Sequence, residues 1–295
     1  MARGDIKLAI SSTKLGNNFV TSGNWSGPVN WSTGVLPATT ETVHISANAN
    51  VDAVETVQSI TIYSGGVLTI PSGKALTVNG ALTNNAGNTG LVIKSTDSGT
   101  GSLKVLGSVS GSATVQQWVA PDAWHLISSP VATEPVIDFL NDNKDIAIAS
   151  NTKDSPSYTF AMRDYNLAGT GWTDYFTGAK PNTDLFGTGK GYLVLTRIPV
   201  VVPLEFKGDL NTLPVNTVAV KTGWNLVGNP FTSAISINAA AGTASGGTNF
   251  IDTNTAALTG SYAAIYVWDE TAIPKEYQVV NHTYNGSAAF YAQVG

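Results

Sequence analysis

The sequence predicts an all-β protein: a short parallel β-solenoid (β-helix) followed by an antiparallel β-sandwich built from a duplicated unit. Charged residues make up only 12% of the 295 residues, while Thr, Ser, Asn, Gly and Val are abundant, as is typical of β-rich proteins. Short runs of alternating apolar residues fill the first part of the chain. Two similar stretches, WHLISSP at 124–130 and WNLVGNP at 224–230, indicate an internal repeat.

The solenoid is predicted for residues 20–118. Runs such as SITIYSG, GVLTIPSG, KALTVNG and GLVIKS have the length and period of short strands, and Gly, Asn and Ser supply turns between them. Their repeated similarity favours stacked coils, because each coil would then bury a face that it cannot bury alone. An antiparallel meander is the alternative. Trp25 and Trp31 are predicted to cover the open end of the first coil; a sugar-stacking platform is the alternative for this pair.

Longer strands that contain aromatic residues follow Val119, among them YTFAMRDY, GYLVLT, VVPLEFKG and AAIYVWDE, and they indicate a sandwich. The segment EPVIDFLND predicts the one helix, since its apolar residues Val136, Phe139 and Leu140 share a face. Thr133 or Glu134 is expected to cap its N-terminus.

The repeat divides the second part into copy 1, residues 119–222, and copy 2, residues 223–295, with residues 1–19 as an N-terminal segment. Four positions of the aligned segments 124–138 and 224–238 are identical: Trp124/Trp224, Leu126/Leu226, Pro130/Pro230 and Ile137/Ile237. Copy 2 has no counterpart of the closing strands of copy 1. We therefore expect its open edge to be filled by a continuation of the chain, by IKLAISS near the N-terminus, or by a strand of a neighbouring molecule.

The WxLxGNP motif, followed by a YVWD-type strand and a late aromatic strand, resembles the modular surface proteins that some bacteria export by type IX secretion. This resemblance spans most of residues 20–295. It implies an extracellular or outer cell-surface location. The family includes adhesins, surface scaffolds and appendages of polysaccharide-degrading enzymes.

Charge and motifs argue against several function classes. A net charge of −5 disfavours nucleic acid and anionic membranes as partners, and no run of about 18 apolar residues predicts a membrane span. There is no cysteine, no HExxH and no GxSxG motif. A pair of carboxylates among Asp164, Asp174 and Asp184 is the remaining route to glycosidase chemistry, and solvated loop acids are the simpler interpretation. We therefore predict that the protein is not an enzyme.

Two kinds of binding site are candidates. Sugar binding needs aromatic faces beside polar hydrogen-bonding groups, and the candidate residues are Trp172, Tyr165, Asp174, Trp268, Asp269 and Glu270. Trp124 and Trp224 each open an apolar run and are expected to face inward. A weaker candidate is a calcium site, since oxygen donors recur at Asp138, Asn141, Asn143 and Asp145; no other cofactor is expected.

The sequence thus predicts a non-catalytic extracellular surface, adhesion or structural protein, with a polysaccharide or another surface protein as candidate partner and with self-association through unpaired strand edges. The alternative is an ancillary module of a polysaccharide-degrading enzyme, either a glycoside hydrolase or a polysaccharide lyase.

Overall fold

A computed structural model shows an all-β protein, with 49% strand and 9% helix in the part of the chain that it describes, and confirms the predicted class. The structure describes residues 16–121, 123–143, 146, 159–166, 171–176, 184–196, 203–211, 223–238, 249–258, 264–269, 274, 276–281 and 291–292. No helix in these ranges is long and apolar enough to cross a membrane.

The first region holds fifteen short strands in the described chain: β1 (Asn17–Phe19), β2 (Gly23–Asn24), β3 (Thr42–Ile45), β4 (Asn48–Asn50), β5 (Val54–Val57), β6 (Ser59–Ile62), β7 (Val67–Ile70), β8 (Ala75–Val78), β9 (Leu82–Asn84), β10 (Leu91–Ile93), β11 (Ser95–Thr96), β12 (Gly99–Thr100), β13 (Ser102–Val105), β14 (Val109–Ser110) and β15 (Ser112–Gln117). A 3-10 helix spans Pro28–Asn30.

The second region contains the strands β16 (Trp124–Ser128), β17 (Thr159–Asn166), β18 (Gly171–Phe176), β19 (Gly191–Leu195), β20 (Leu204–Asp209), β21 (Ile235–Ser236), β22 (Ala264–Asp269), β23 (Glu276–Asn281) and β24 (Tyr291–Ala292). Its helices are α1 (Val136–Asp142) and α2 (Phe250–Thr253), followed by a 3-10 helix at Thr255–Ala257.

Strands of the first region pair in parallel in three sheets. The orders are β1-β3-β6-β9-β14, β2-β4-β7-β10-β15-β20 and β13-β8-β5. Along the chain, β3, β4 and β5 enter the three sheets in turn, and β6, β7 and β8 then pair with them in the same order. The chain therefore returns to each sheet one strand further along.

Side chains alternate between buried and more accessible positions along these strands, and the buried ones form a continuous interior. On β3 and β6 the paired Val43/Ile60 and Ile45/Ile62 are buried, while His44 and Thr61 face outward. The same burial pattern recurs on β7 and β8. Burial of one apolar face per strand is the main stabilising contribution, at about 25 cal/mol for each Å² of apolar surface removed from water.

Trp25 and Trp31 are buried beside the first strands, with 0% and 2% of their surface exposed. Their rings pack edge to face with centroids 4.7 Å apart, and the Trp31 indole N–H donates to the Trp25 carbonyl oxygen at 2.8 Å. Phe19 packs against Trp31 on the other side. Because neither indole is accessible, the alternative of a sugar-stacking platform at this pair is wrong.

The two regions share a core. Strand β20, from copy 1 of the repeat, pairs antiparallel with β15, the last strand of the first region. Buried apolar residues form one cluster that runs from Phe19 to Leu210. Thr232, from copy 2, donates its hydroxyl to the Leu103 carbonyl oxygen and accepts the Leu103 N–H with its own carbonyl. The sequence boundary at residue 118 is therefore not a break in packing.

Helix α1 lies where the sequence predicts it, with Val136, Phe139 and Leu140 buried on one face. The predicted cap is wrong. The N-cap residue is Pro135, and no side chain caps the helix. Thr133 instead accepts the backbone N–H of Asp209, and the Glu134 carboxyl accepts the backbone N–H of Lys207. Both side chains thus connect the residues just before helix α1 to strand β20.

The two repeated motifs lie against each other. WHLIS forms β16, whereas WNLVGNP contributes an isolated bridge between Val227 and Lys190. The backbone of the second motif bonds the turn before β19, from Gly191 N to Leu226 O at 3.1 Å and from Gly228 N to Gly189 O at 3.0 Å. Gly228 approaches Ser128 so closely that a side chain at 228 would overlap it.

Candidate functional site

The antiparallel sheet β16-β19-β17-β18 of copy 1 has one buried and one accessible face. Ile127, Met162, Tyr192 and Val194 occupy the buried face. Side chains at the alternate positions lie on the other face, because successive residues of a strand point to opposite sides of the sheet. This accessible face carries Trp124, Leu126, Arg163, Tyr165, Trp172, Leu193 and Leu195.

Four of these residues form a diagonal row across the sheet, which we call the first aromatic row: Trp124, Arg163, Tyr165 and Trp172. The Arg163 guanidinium lies 5.1 Å from the ring centroid of Trp124, within cation–π range. Tyr165 pairs across the strands with Trp172, and their rings pack edge to face at 5.5 Å. Trp124 is 36% exposed and Trp172 43% exposed. The row therefore presents two accessible indoles on a sheet that fixes their positions.

Beneath the row, an ion pair fixes β17 to the turn before β19. Asp164 lies on the buried face, and its carboxylate accepts from the Lys190 ammonium at 2.7 Å. The same ammonium lies 5.2 Å from the Tyr192 ring centroid, and the Tyr192 hydroxyl accepts the Gly187 N–H at 2.8 Å. These contacts fix the position of β17, the strand that carries Arg163 and Tyr165 on its accessible face.

Copy 2 has a corresponding feature on the hairpin β22–β23, the second aromatic row: Trp224, Tyr266, Trp268 and Tyr277. Trp268 pairs across the strands with Tyr277, and their rings pack edge to face at 5.0 Å. Trp224 packs edge to face on Tyr266 at 4.8 Å. Trp224 is 67% exposed and Tyr277 is 55% exposed.

The structure brings together some of the residues predicted for sugar binding. Tyr165 and Trp172 are in contact, and the backbone of Asp174 pairs in register with that of Arg163. Trp268 belongs to the second row. The backbone of Asp269 pairs in register with that of Glu276. Glu270 lies outside the described residues.

The prediction that Trp124 and Trp224 face inward is wrong. Sequence reasoning missed both indoles and also Arg163, Tyr266 and Tyr277. The signal that could have identified the two Trp residues is their equivalence in the repeat, because identical positions of a duplicated unit can retain a surface as well as a core.

Residues predicted to bind calcium lie at helix α1. Asp138 and Asn141 are in the helix, and Asp145 is outside the described residues. Asn143 is buried: its amide nitrogen donates to the carbonyl oxygens of Phe139 and Glu205, and its Oδ1 accepts the Glu205 N–H at 2.8 Å. Across the described part of the chain, no three His, Asp or Glu side chains form a group that could hold a metal.

Among the described residues, the carboxyl with the most strongly shifted pKa lies away from both rows. Glu134 is 2% exposed, and burial raises its pKa to about 8. The backbone N–H of Lys207 donates to its Oε1 at 3.0 Å, which opposes this shift, and the negative charge of Asp142 adds to it. Its Oε2 has no hydrogen-bond partner within the described ranges. Glu134 therefore titrates in the junction between helix α1 and β20.

A protein-family model, described as a domain of unknown function (DUF8693), matches residues 18–294. No curated protein and no solved structure matches the chain. The matched range includes the parallel sheets and both copies of the repeat.

Proposed function

The chain belongs to the DUF8693 family of domains of unknown function, and we propose that it is a non-catalytic extracellular surface or adhesion protein that binds glycans. The observation that carries this proposal is the first aromatic row. Its two accessible indoles lie on one face of a sheet, with a cation and a phenol between them.

The chemistry of the row suits a sugar chain. The C–H face of a pyranose is apolar and stacks on an indole, while its hydroxyls need polar partners at the edge of the contact. Trp and Tyr supply a large rigid contact at a low cost in conformational entropy. The row crosses four strands, so at a strand spacing of about 4.8 Å its ends are roughly 14 Å apart across the sheet. An extended chain of several sugar units could contact both indoles.

The rest of the molecule is proposed to act as a spacer and presenter. We interpret the three parallel sheets of residues 16–118 as a short β-solenoid, because successive strands enter the sheets in a fixed order and bury one common interior. We interpret the second region as sandwich units derived from the repeat. The expected location is the outer cell surface or the extracellular space.

A non-catalytic role is supported by the placement of the acidic residues. The Asp164 carboxylate is buried and ion-paired with Lys190. Asp164 therefore does not present its carboxylate on the accessible face of the sheet. A glycosidase needs two carboxyl groups on either side of the scissile bond. An ancillary role beside the catalytic domain of a polysaccharide-degrading enzyme is compatible with the same binding face.

Affinity electrophoresis in gels that contain neutral and acidic polysaccharides tests the proposal. The protein should be retarded in at least one gel, and Trp172→Ala should lower the apparent affinity at least tenfold. Tyr63→Ala is the matched control, because Tyr63 is an exposed aromatic residue of the first region that stacks on His44, away from the row. Reducing ends are measured in parallel. Release of reducing ends, or equal retardation of Trp172→Ala and the unmodified protein, contradicts the proposal.

A further inference from the structure

We propose that the second aromatic row is a second glycan-binding site, and that the two rows together bind one class of ligand, a neutral polysaccharide. The inference rests on the proposed function of the first row. It adds a site in copy 2 and narrows the class of ligand.

The two rows share a geometry that is more specific than a common composition. In each hairpin, an aromatic residue of the first strand pairs across the strands with an aromatic residue of the second: Tyr165 with Trp172, and Trp268 with Tyr277. In each copy, the Trp that opens the repeated motif contacts the residue two positions before that pair. Trp124 contacts Arg163, and Trp224 contacts Tyr266.

The second row also lies on a supported backbone. On the opposite face of its hairpin, Val280 is fully buried, and Ile265 and Val267 pack with Ile237 and Ile251 in a small core of copy 2. This core gives the hairpin an inner and an outer face. The outer one carries the aromatic side chains, so their exposure is a property of the sheet rather than of a loop. A site on a sheet loses less conformational freedom on binding.

Charge selects the class of ligand. None of the four residues of the second row is charged, and the chain as a whole carries a net charge of −5. An acidic polysaccharide would need cations on this face to offset repulsion. The one cation of the first row, Arg163, is stacked on Trp124, and Lys190 and Lys207 are engaged by Asp164 and Asp142. Stacking of uncharged sugar rings on indole and phenol groups requires no such cations, and so a neutral glycan fits both rows.

Two sites on one chain predict avidity. A polymer that contacts both rows binds the second one at a high effective concentration, whereas a short oligosaccharide occupies each row separately. Linking two weak sites in this way can raise the overall affinity by roughly 100-fold or more. A much higher affinity for the polymer than for the oligosaccharide is therefore the result expected if the second row binds glycan.

The test uses titration calorimetry with a neutral β-glucan hexasaccharide and affinity gels with the parent polymer. The unmodified protein should bind two hexasaccharides per chain, while Trp172→Ala and Trp268→Ala should each bind one. In gels, each single variant should lose at least tenfold in affinity for the polymer, and the double variant should lose retardation. Trp268→Phe, which keeps a ring, should retain most of the binding. Thermal unfolding checks that each variant is folded.

Each other outcome has a defined meaning. If the unmodified protein is retarded by no neutral or acidic polysaccharide, the proposed function itself fails; if only acidic polysaccharides retard it, the ligand class is wrong. If it binds one hexasaccharide, and Trp268→Ala does not change retardation, the second site is wrong while the first stands. If polygalacturonate competes better than the neutral polymer, the ligand class is wrong. If the unmodified protein dimerises in sedimentation and Trp268→Ala does not, a second copy covers this row and the inference is overturned.

Discussion

Two tryptophans of the first region and three of the second lie in opposite environments. In the parallel-stranded region, Trp25 and Trp31 are enclosed with Phe19, and the Trp31 indole N–H is bonded to the backbone. In the antiparallel region, Trp124, Trp172 and Trp224 are each exposed over a third or more of their surface. Both groups pack against a neighbouring aromatic ring or cation. The difference is the surface on the other side of each ring, which is protein in one region and solvent in the other.

The buried indoles are expected to contribute mainly to folding stability, and the exposed indoles mainly to ligand binding. Burying an indole completely removes its whole apolar surface from water, and so the residue contributes most to folding. An indole on an outer face buries only part of its apolar surface and therefore contributes less to the free energy of folding. Its remaining surface is available to a ligand. The comparison therefore predicts large stability effects in the first region and large binding effects in the second.

The largest expected effect is that of Trp25→Ala. Removing a fully buried indole leaves a cavity that the stacked strands cannot close, and we expect a loss of about 4 kcal/mol in the free energy of unfolding. Trp124→Ala is the matched variant, with an expected loss below about 1 kcal/mol, because the indole is partly exposed and contributes mainly its contact with Arg163. Urea denaturation measures both.

For glycan binding, the loss caused by Trp124→Ala should exceed the loss caused by Trp25→Ala. Trp124→Ala should weaken retardation in polysaccharide gels, and Trp25→Ala, measured well below its unfolding temperature, should not. If Trp25→Ala and Trp124→Ala lost equal stability, the proposed difference between buried and exposed indoles would be wrong.

The next effect concerns the junction between the regions. The ordinary pKa of a glutamate carboxyl is 4.5, and burial raises the pKa of Glu134 to about 8 in the folded protein. Between these values the folded state binds more protons than the unfolded state. The contribution of Glu134 to stability is therefore fully present below pH 4.5 and is lost as the pH rises towards 8. By about pH 7 the loss is on the order of 3 kcal/mol, since each pH unit above 4.5 costs about 1.4 kcal/mol.

Glu134→Gln should abolish most of this pH dependence. The amide oxygen can still accept the Lys207 N–H, so we expect similar stability at about pH 5 and higher stability than the unmodified protein at about pH 8. Asp138→Asn is the control. Asp138 contributes only weakly to the Glu134 pKa, as the smallest of its causes, and the pH dependence should remain. Parallel stability curves for Glu134→Gln and the unmodified protein across this range would contradict the assigned titration.

Much of the fold follows from local pattern. Period-two alternation predicts the short strands, and β6, β7, β8 and β10 lie within the runs that it identifies. The helical spacing of Val136, Phe139 and Leu140 predicts α1. In both cases one face is apolar and the other polar, so the pattern alone decides which side is buried.

The orientation of Trp124 could not be predicted in this way, because WHLIS has apolar residues at both parities. Trp124 and Leu126 alternate with His125 and Ile127, and the polar His125 is tolerated because its Nε2 lies 2.6 Å from the Ala120 carbonyl oxygen. The second row depends on the pairing of Trp268 with Tyr277, and this register is set by a turn whose geometry the sequence does not specify.

The smallest of the three main stability effects concerns the contact between the two motifs. Gly228 lies against Ser128, its own equivalent in the repeat, and a Cβ at 228 would overlap the Ser128 side chain. Gly228→Ala should therefore cost about 2 kcal/mol through overpacking. Gly187→Ala is the milder control, since the nearest atom to its added Cβ is the Lys190 Cβ at 3.1 Å.

The swap Ser128→Gly with Gly228→Ser sharpens this test, because it moves the larger side chain from one motif to the other. If the two motifs meet at this point, the double variant should be more stable than Gly228→Ser alone, and the coupling energy should be on the order of 1 kcal/mol in a double-mutant cycle. Additive losses would mean that residues 128 and 228 do not share one space. The two copies would then present their aromatic rows independently, and the avidity for a polymer would depend on the reach between them rather than on a fixed contact.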